Sequence, residues 1–175
     1  MKRFLTICFS LLLTPVTYAD DTKFYACKSI FALCTTAPCT AVEGDNKVVN
    51  CKCTVHDGYS ASQEPCKAMK KTDMGNLVYS RYYPIKAYKT CTNDRVWANC
   101  LDKPCIVDKN DPTKANCACT TEAKQGNWVI VTDDGATNTC DAGIVSSATV
   151  EQVDAITTFL KGQKELQPYD IKVEK

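Results

Sequence analysis

Apolar and polar positions alternate or recur along this chain in a few distinct ways. Phe4 to Leu13 is a mainly apolar run of about ten residues behind a basic Met1-Lys2-Arg3. Cys39-Thr40-Ala41-Val42 and Lys47 to Cys53 read as two strands, with Glu43-Gly44-Asp45-Asn46 between them as a turn. Cys105-Ile106-Val107 and Ala115 to Thr120 repeat the arrangement around Lys109-Asn110-Asp111-Pro112, where Pro112 suits a turn. Asn127 to Thr132 is rich in β-branched and aromatic residues and predicts a strand, with Asp133-Asp134-Gly135 as its turn. Asn76 to Tyr83 predicts another, which Pro84 pushes to an edge or an exit. Near the end the period changes. Val150, Val153, Ile156, Phe159 and Leu160 form a stripe at helical spacing, opened by Thr149-x-x-Gln152 and stopped at Gly162. Tyr169 to Val173 reads as a last strand after Pro168.

The first run has the layout of a secretory signal peptide, with Thr17-Tyr18-Ala19 as a small-x-small site and cleavage expected before Asp20. It is shorter than the roughly 20 residues of a bilayer span. No membrane span is expected once it is removed. Loss of residues 1–19 takes Cys8 with it and leaves 12 of the 13 cysteines. An even count in an exported chain predicts full disulfide pairing in an oxidising compartment, extracellular or periplasmic.

The cysteines fall into two groups with one spacing. Cys27, Cys34, Cys39, Cys51, Cys53 and Cys66 precede Cys91, Cys100, Cys105, Cys117, Cys119 and Cys140. Both centres read C-x4-C-x11-C-x-C, and an offset of 66 residues superposes them. Neighbours agree as well: Phe31-Ala32-Leu33-Cys34 with Trp97-Ala98-Asn99-Cys100, Pro38-Cys39 with Pro104-Cys105, Asn50-Cys51 with Asn116-Cys117. This predicts an internal duplication. The expected organisation is a signal peptide (1–19), a first six-cysteine repeat (20–66), a basic tyrosine-rich connecting strand (67–90), a second repeat (91–145) and a C-terminal helix with tail (146–175). The expected fold is mainly β, α+β by content: two tandem disulfide-stapled β-hairpin modules with a C-terminal α-helix. A symmetric hairpin sets Cys39 opposite Cys51 and Cys105 opposite Cys117, so cross-strand bridges can form there. Both cysteines of a C-x-C strand face one side. Cys53–Cys66 and Cys119–Cys140 are the expected local bridges.

Charge narrows the function. Without residues 1–19 the chain has 19 cations against 20 anions, so it is no general polyanion binder and nucleic acid is disfavoured. The connector stands out, with a net charge of +5 and four tyrosines. Cations beside aromatic rings can hold an anionic glycan or a protein surface. Arg81, Tyr82, Tyr83, Lys86, Tyr88 and Lys89 are therefore the candidate binding residues, for an unknown protein or glycan partner. His56, followed by Asp57, is the one imidazole, too few for the usual metal ligand sets. No nucleophile elbow, C-x-x-C, P-loop or dinucleotide fingerprint occurs. No catalytic residue, metal or cofactor is expected. A short basic start and the lack of N-x-[ST] acceptors favour a bacterial exported protein. The reading is a secreted or periplasmic binding protein, for host interaction or inhibition. Its rivals are a small hydrolase using His56 or acidic residues, and a structural envelope component.

Overall fold

The computed structural model of the protein describes residues 23–123, 126–133, 139–166 and 171–174. The expected signal peptide with Cys8, Asp134-Gly135 of the expected turn, and Pro168 to Asp170 lie outside the described residues. The fold is mostly β with one α-helix near the C-terminus. In chain order the strands are β1 (Tyr25–Leu33), β2 (Pro38–Val42), β3 (Asp45–Ser62), β4 (Lys70–Thr72), β5 (Gly75–Tyr79), β6 (Ala87–Cys91), β7 (Trp97–Asn99), β8 (Pro104–Val107), β9 (Lys114–Glu122), β10 (Trp128–Val131) and β11 (Ile144–Ser147). The helix α1 (Val150–Lys161) and β12 (Lys172–Glu174) follow, with a single 3₁₀ turn at Lys164–Leu166 between them.

Five strands close on themselves. β3 pairs with β2, β2 with β11, β11 with β7, β7 with β9, and β9 returns to β3. Only the β7–β11 contact within this ring is parallel. β1 lies beside the C-terminal half of β3, while β8, β5 and β4 continue outward from β9. A second sheet has the order β10-β6-β12.

The two hairpins form as the turn residues demand, with Cys39 opposite Cys51 and Cys105 opposite Cys117. Both pairs are disulfides. The remaining bridges are Cys27–Cys66, Cys34–Cys53, Cys91–Cys140 and Cys100–Cys119. The expected Cys53–Cys66 and Cys119–Cys140 bonds are therefore wrong. Register decides this. Leu33 faces Thr54 across β1–β3, which brings Cys34 beside Cys53. Cys27 faces Ser60, so the chain beyond β3 brings Cys66 back to it. The pairing is nested and has the same order in both groups: first with sixth, second with fifth, third with fourth.

The groups meet through β3 and β9. Cys51 and Cys117, brought together by the 66-residue offset, are also direct partners across this pair. On either side the pairing is reciprocal, since Lys52 faces Asn116 and Asn50 faces Ala118. This is the relation of an isologous interface, written into one chain.

Alternation sets what fills the barrel. Val49, Cys51 and Cys53 of β3 point inward, as do Ala115, Cys117 and Cys119 of β9, while Asn50, Lys52, Asn116 and Ala118 point outward. Seven of the fourteen buried residues in this core are cysteines, and the other seven are only Ala or Val. Cystine bulk therefore takes the place that Leu, Ile or Phe occupy in other cores. The large side chains sit elsewhere, with Trp97 and Trp128 packed near Cys91, Ile130 and Val145.

The Gly58-Tyr59-Ser60 stretch lies inside a strand. β3 runs through it for 18 residues, with Gly58 at φ +145°. Residues 67–90 do not make one connecting strand but contribute β4, β5 and β6. The helix starts and stops as its pattern predicts. Thr149 Oγ1 accepts from Gln152 N and the Gln152 side chain accepts from Thr149 N, with Gly162 as C-cap. Val153, Ile156 and Leu160 are its buried face.

Candidate functional site

The six candidate binding residues do not share one surface. Arg81 is 5% exposed and Tyr88 is 4% exposed. Tyr82 packs between the two apolar clusters under α1. Tyr83 is 43% exposed, and Lys86 and Lys89 reach solvent. An arginine next to tyrosines reads as a surface patch because its partner is remote in sequence. That partner is Asp102, whose Oδ1 accepts from Arg81 Nη1 at 2.5 Å. Nη1 also donates to the Ser80 carbonyl. Asp102 holds φ +59°, and its other contacts are Ser62 Oγ on Oδ1 and Gln63 N on Oδ2. The pair thus locks β3's exit to the segments around Ser80 and Cys100, where Ser80 Oγ donates to the Cys100 carbonyl. Burial pulls the Arg81 guanidinium down from its ordinary value, against the upward pull of Asp102, Glu64 and Tyr79. Its Nε has no partner.

The structure brings a different set together. A cleft opens between α1 and the Ser80–Ile85 segment, backed by β10 and the end of β11. Val129, Val153, Ile156 and Leu160 line its interior. Tyr83, Ile85 and Thr157 stand nearer solvent. Its volume is about 60 Å³, against the roughly 10–15 Å³ one water needs. Three lining hydroxyls are already engaged. Thr36 Oγ1 accepts from Val131 N, Ser147 Oγ donates to the Val129 carbonyl, and Ser80 Oγ is bound as above. With the aliphatic side chains at its interior, the cleft offers mainly apolar surface there, which suits an aliphatic or aromatic group better than water.

Tyr83 also belongs to a cluster of three rings. Its centroid is 6.2 Å from those of both Phe31 and His56, and Phe31 and His56 are 5.9 Å apart. Phe31 is buried beneath them while His56 is exposed. These contacts hold Tyr83 at the edge of the cleft, which lowers the entropy lost on binding there. His56 Nε2 lies 3.0 Å from Thr54 Oγ1. Asp57 follows on the opposite face of β3, since strand neighbours alternate, and so does not orient the His56 ring.

Tyr82 gives the cleft a pH signature. Burial raises its phenol well above the ordinary value of 10.0, and Asp102 raises it further. The folded chain then holds this proton more tightly than the unfolded chain. Tyr82 contributes its stability in full below about pH 10 and loses it above, at about 1.4 kcal/mol per pH unit. Urea unfolding at pH 9 to 11.5 should show that decline, and Tyr82→Phe should flatten it. An unchanged slope in Tyr82→Phe would contradict the enclosure of this hydroxyl.

Among the described residues, the groups of side chains close enough to hold a metal ion are Cys34, Cys100, Cys119 and Cys34, Cys53, Cys117. All are disulfide-bonded and have no thiolate to donate. No helix among the described residues is long and apolar enough to cross a membrane. Compared with known proteins, the chain matches no protein-family model, no curated protein and no solved structure.

Proposed function

We propose that this is an exported, internally duplicated binding protein that receives an apolar side chain of a protein partner in the cleft beside Tyr83. The observation that carries the reading is the cleft itself: an aliphatic interior of Val129, Val153, Ile156 and Leu160, and an exposed tyrosine fixed at its rim. Partially exposed tyrosines around a pocket are frequent anchors in protein recognition. Six disulfides support an oxidising compartment, outside the cell or in the periplasm. The matched spacing, nested bridges and reciprocal β3–β9 register support duplication. Lys86 and Lys89, both exposed, supply charge that would steer an acidic partner rather than fix it.

The hydrolase reading has less support, because His56 meets a threonine hydroxyl and stacks on rings rather than on a carboxylate. A test compares partner capture from host or envelope extracts by immobilised protein. Thr157→Arg places charge in the mouth and should lower affinity by about 2 kcal/mol, or some 30-fold. Lys71→Glu, on edge strand β4, should capture like the parent. Undiminished capture by Thr157→Arg would remove the cleft from the interface.

A further inference from the structure

Three buried disulfides, Cys34–Cys53, Cys100–Cys119 and Cys105–Cys117, lie against one another in the barrel, and Cys34 and Cys100 line the cleft beside α1, from which a small molecule can reach them. Cys34 Sγ is 3.4 Å from Cys117 Sγ, although the two belong to different bridges and different cysteine groups. The sulfurs of Cys34, Cys53 and Cys117 are mutually within 4.8 Å, as are those of Cys34, Cys100 and Cys119. Cys34 is common to both sets. Thiol–disulfide exchange requires a thiolate in contact with a disulfide sulfur, and this packing supplies the contact in advance.

We propose that Cys34 is a thiol–disulfide exchange centre, whose co-substrate is a small dithiol. The dithiol opens Cys34–Cys53, giving up two electrons and closing to its own cyclic disulfide. Cys34, as thiolate, then attacks Cys117 Sγ. The Cys105–Cys117 bond breaks, Cys34–Cys117 forms, and Cys105 leaves as a thiolate that takes up the proton Cys34 released. The second step is an isomerisation with no net redox change. It moves one thiol from the first cysteine group into the second and ties β1 to β9. The β8–β9 hairpin loses its bridge while the two groups gain one between them.

The test is the oxidised Cys53→Ser protein, quenched in acid, alkylated with maleimide and mapped by peptide mass. Exchange predicts a Cys34–Cys117 peptide pair and label on Cys105. Label on Cys34 with Cys105–Cys117 intact would overturn it. A parallel measurement keeps the proposal testable if that variant does not fold. The parent protein is treated with sub-stoichiometric dithiothreitol and trapped in the same way. A Cys34–Cys117 crosslink supports exchange, and partly opened chains holding only the six original pairings refute it.

Discussion

Reduction of the disulfides without denaturant is expected to unfold the barrel. Half of its buried core residues are cysteines and the other half Ala or Val. Small side chains bury little area each, so aliphatic packing alone leaves the interior short of contact. The bridges close loops of 12, 19, 39 and 49 residues. A bridge of the shortest kind contributes about 3 kcal/mol and one of the longest about 4 kcal/mol by chain entropy. Contributions of this size, even when not additive, rival the roughly 5–15 kcal/mol that holds a domain folded. Trp97 and Trp128 are each 2% exposed and report the outcome. Their emission should shift to the red on reduction, with loss of the β signal in circular dichroism. Retention of both signals in the reduced protein would show that the cystines are dispensable. Replacing Cys39 and Cys51 together by Ala should cost about 3 kcal/mol in urea unfolding.

Asp102→Ala is expected to cost about 3–5 kcal/mol, the usual penalty for stripping a buried charge of its partner. Arg81 has a side chain 1% exposed and an Nε already without a partner, so water replaces little of the lost interaction in the folded state. Gln63 N loses its acceptor at the same time, and Ser62 Oγ is left with the Glu64 carbonyl alone. Asp102→Asn keeps hydrogen-bonding capacity but not charge, and should fall between parent and Ala. Arg81→Met combined with Asp102→Leu removes both charges and should recover much of the loss. Urea midpoints decide it. A double variant no more stable than Asp102→Ala would mean that hydrogen-bond geometry at this junction, rather than charge burial, carries the energy.

Local chemistry was legible in the sequence where partners are close. Thr149 and Gln152 are three residues apart and cap α1 as their types predict. The turns at Gly44 and around Pro112 set Cys39 against Cys51 and Cys105 against Cys117. The Cys34–Cys53 bridge was not legible, because it depends on where β1 settles along β3. Gly58 hid the length of β3: a glycine that breaks many strands here passes through one at positive φ. Arg81 looked solvated because the carboxylate that permits its burial lies 21 residues on, past β6 and β7. The cleft left no local signal at all, since its walls come from segments spread between Cys34 and Leu160. Of the candidate tyrosines, Tyr83 is the one that reaches solvent. Its company is rings and aliphatics rather than the expected cations.

Site-specific photo-crosslinking tests the binding role most directly. A photoreactive phenylalanine analogue at position 157 sits in the cleft mouth, and the same group at position 71 sits on edge strand β4. The proteins would be expressed and irradiated in their own compartment. Binding through the cleft predicts a discrete crosslinked species from position 157, absent from position 71 and lost when Tyr83→Ser is combined with the probe. No discrete species from position 157, or equal crosslinking from both positions, would contradict it.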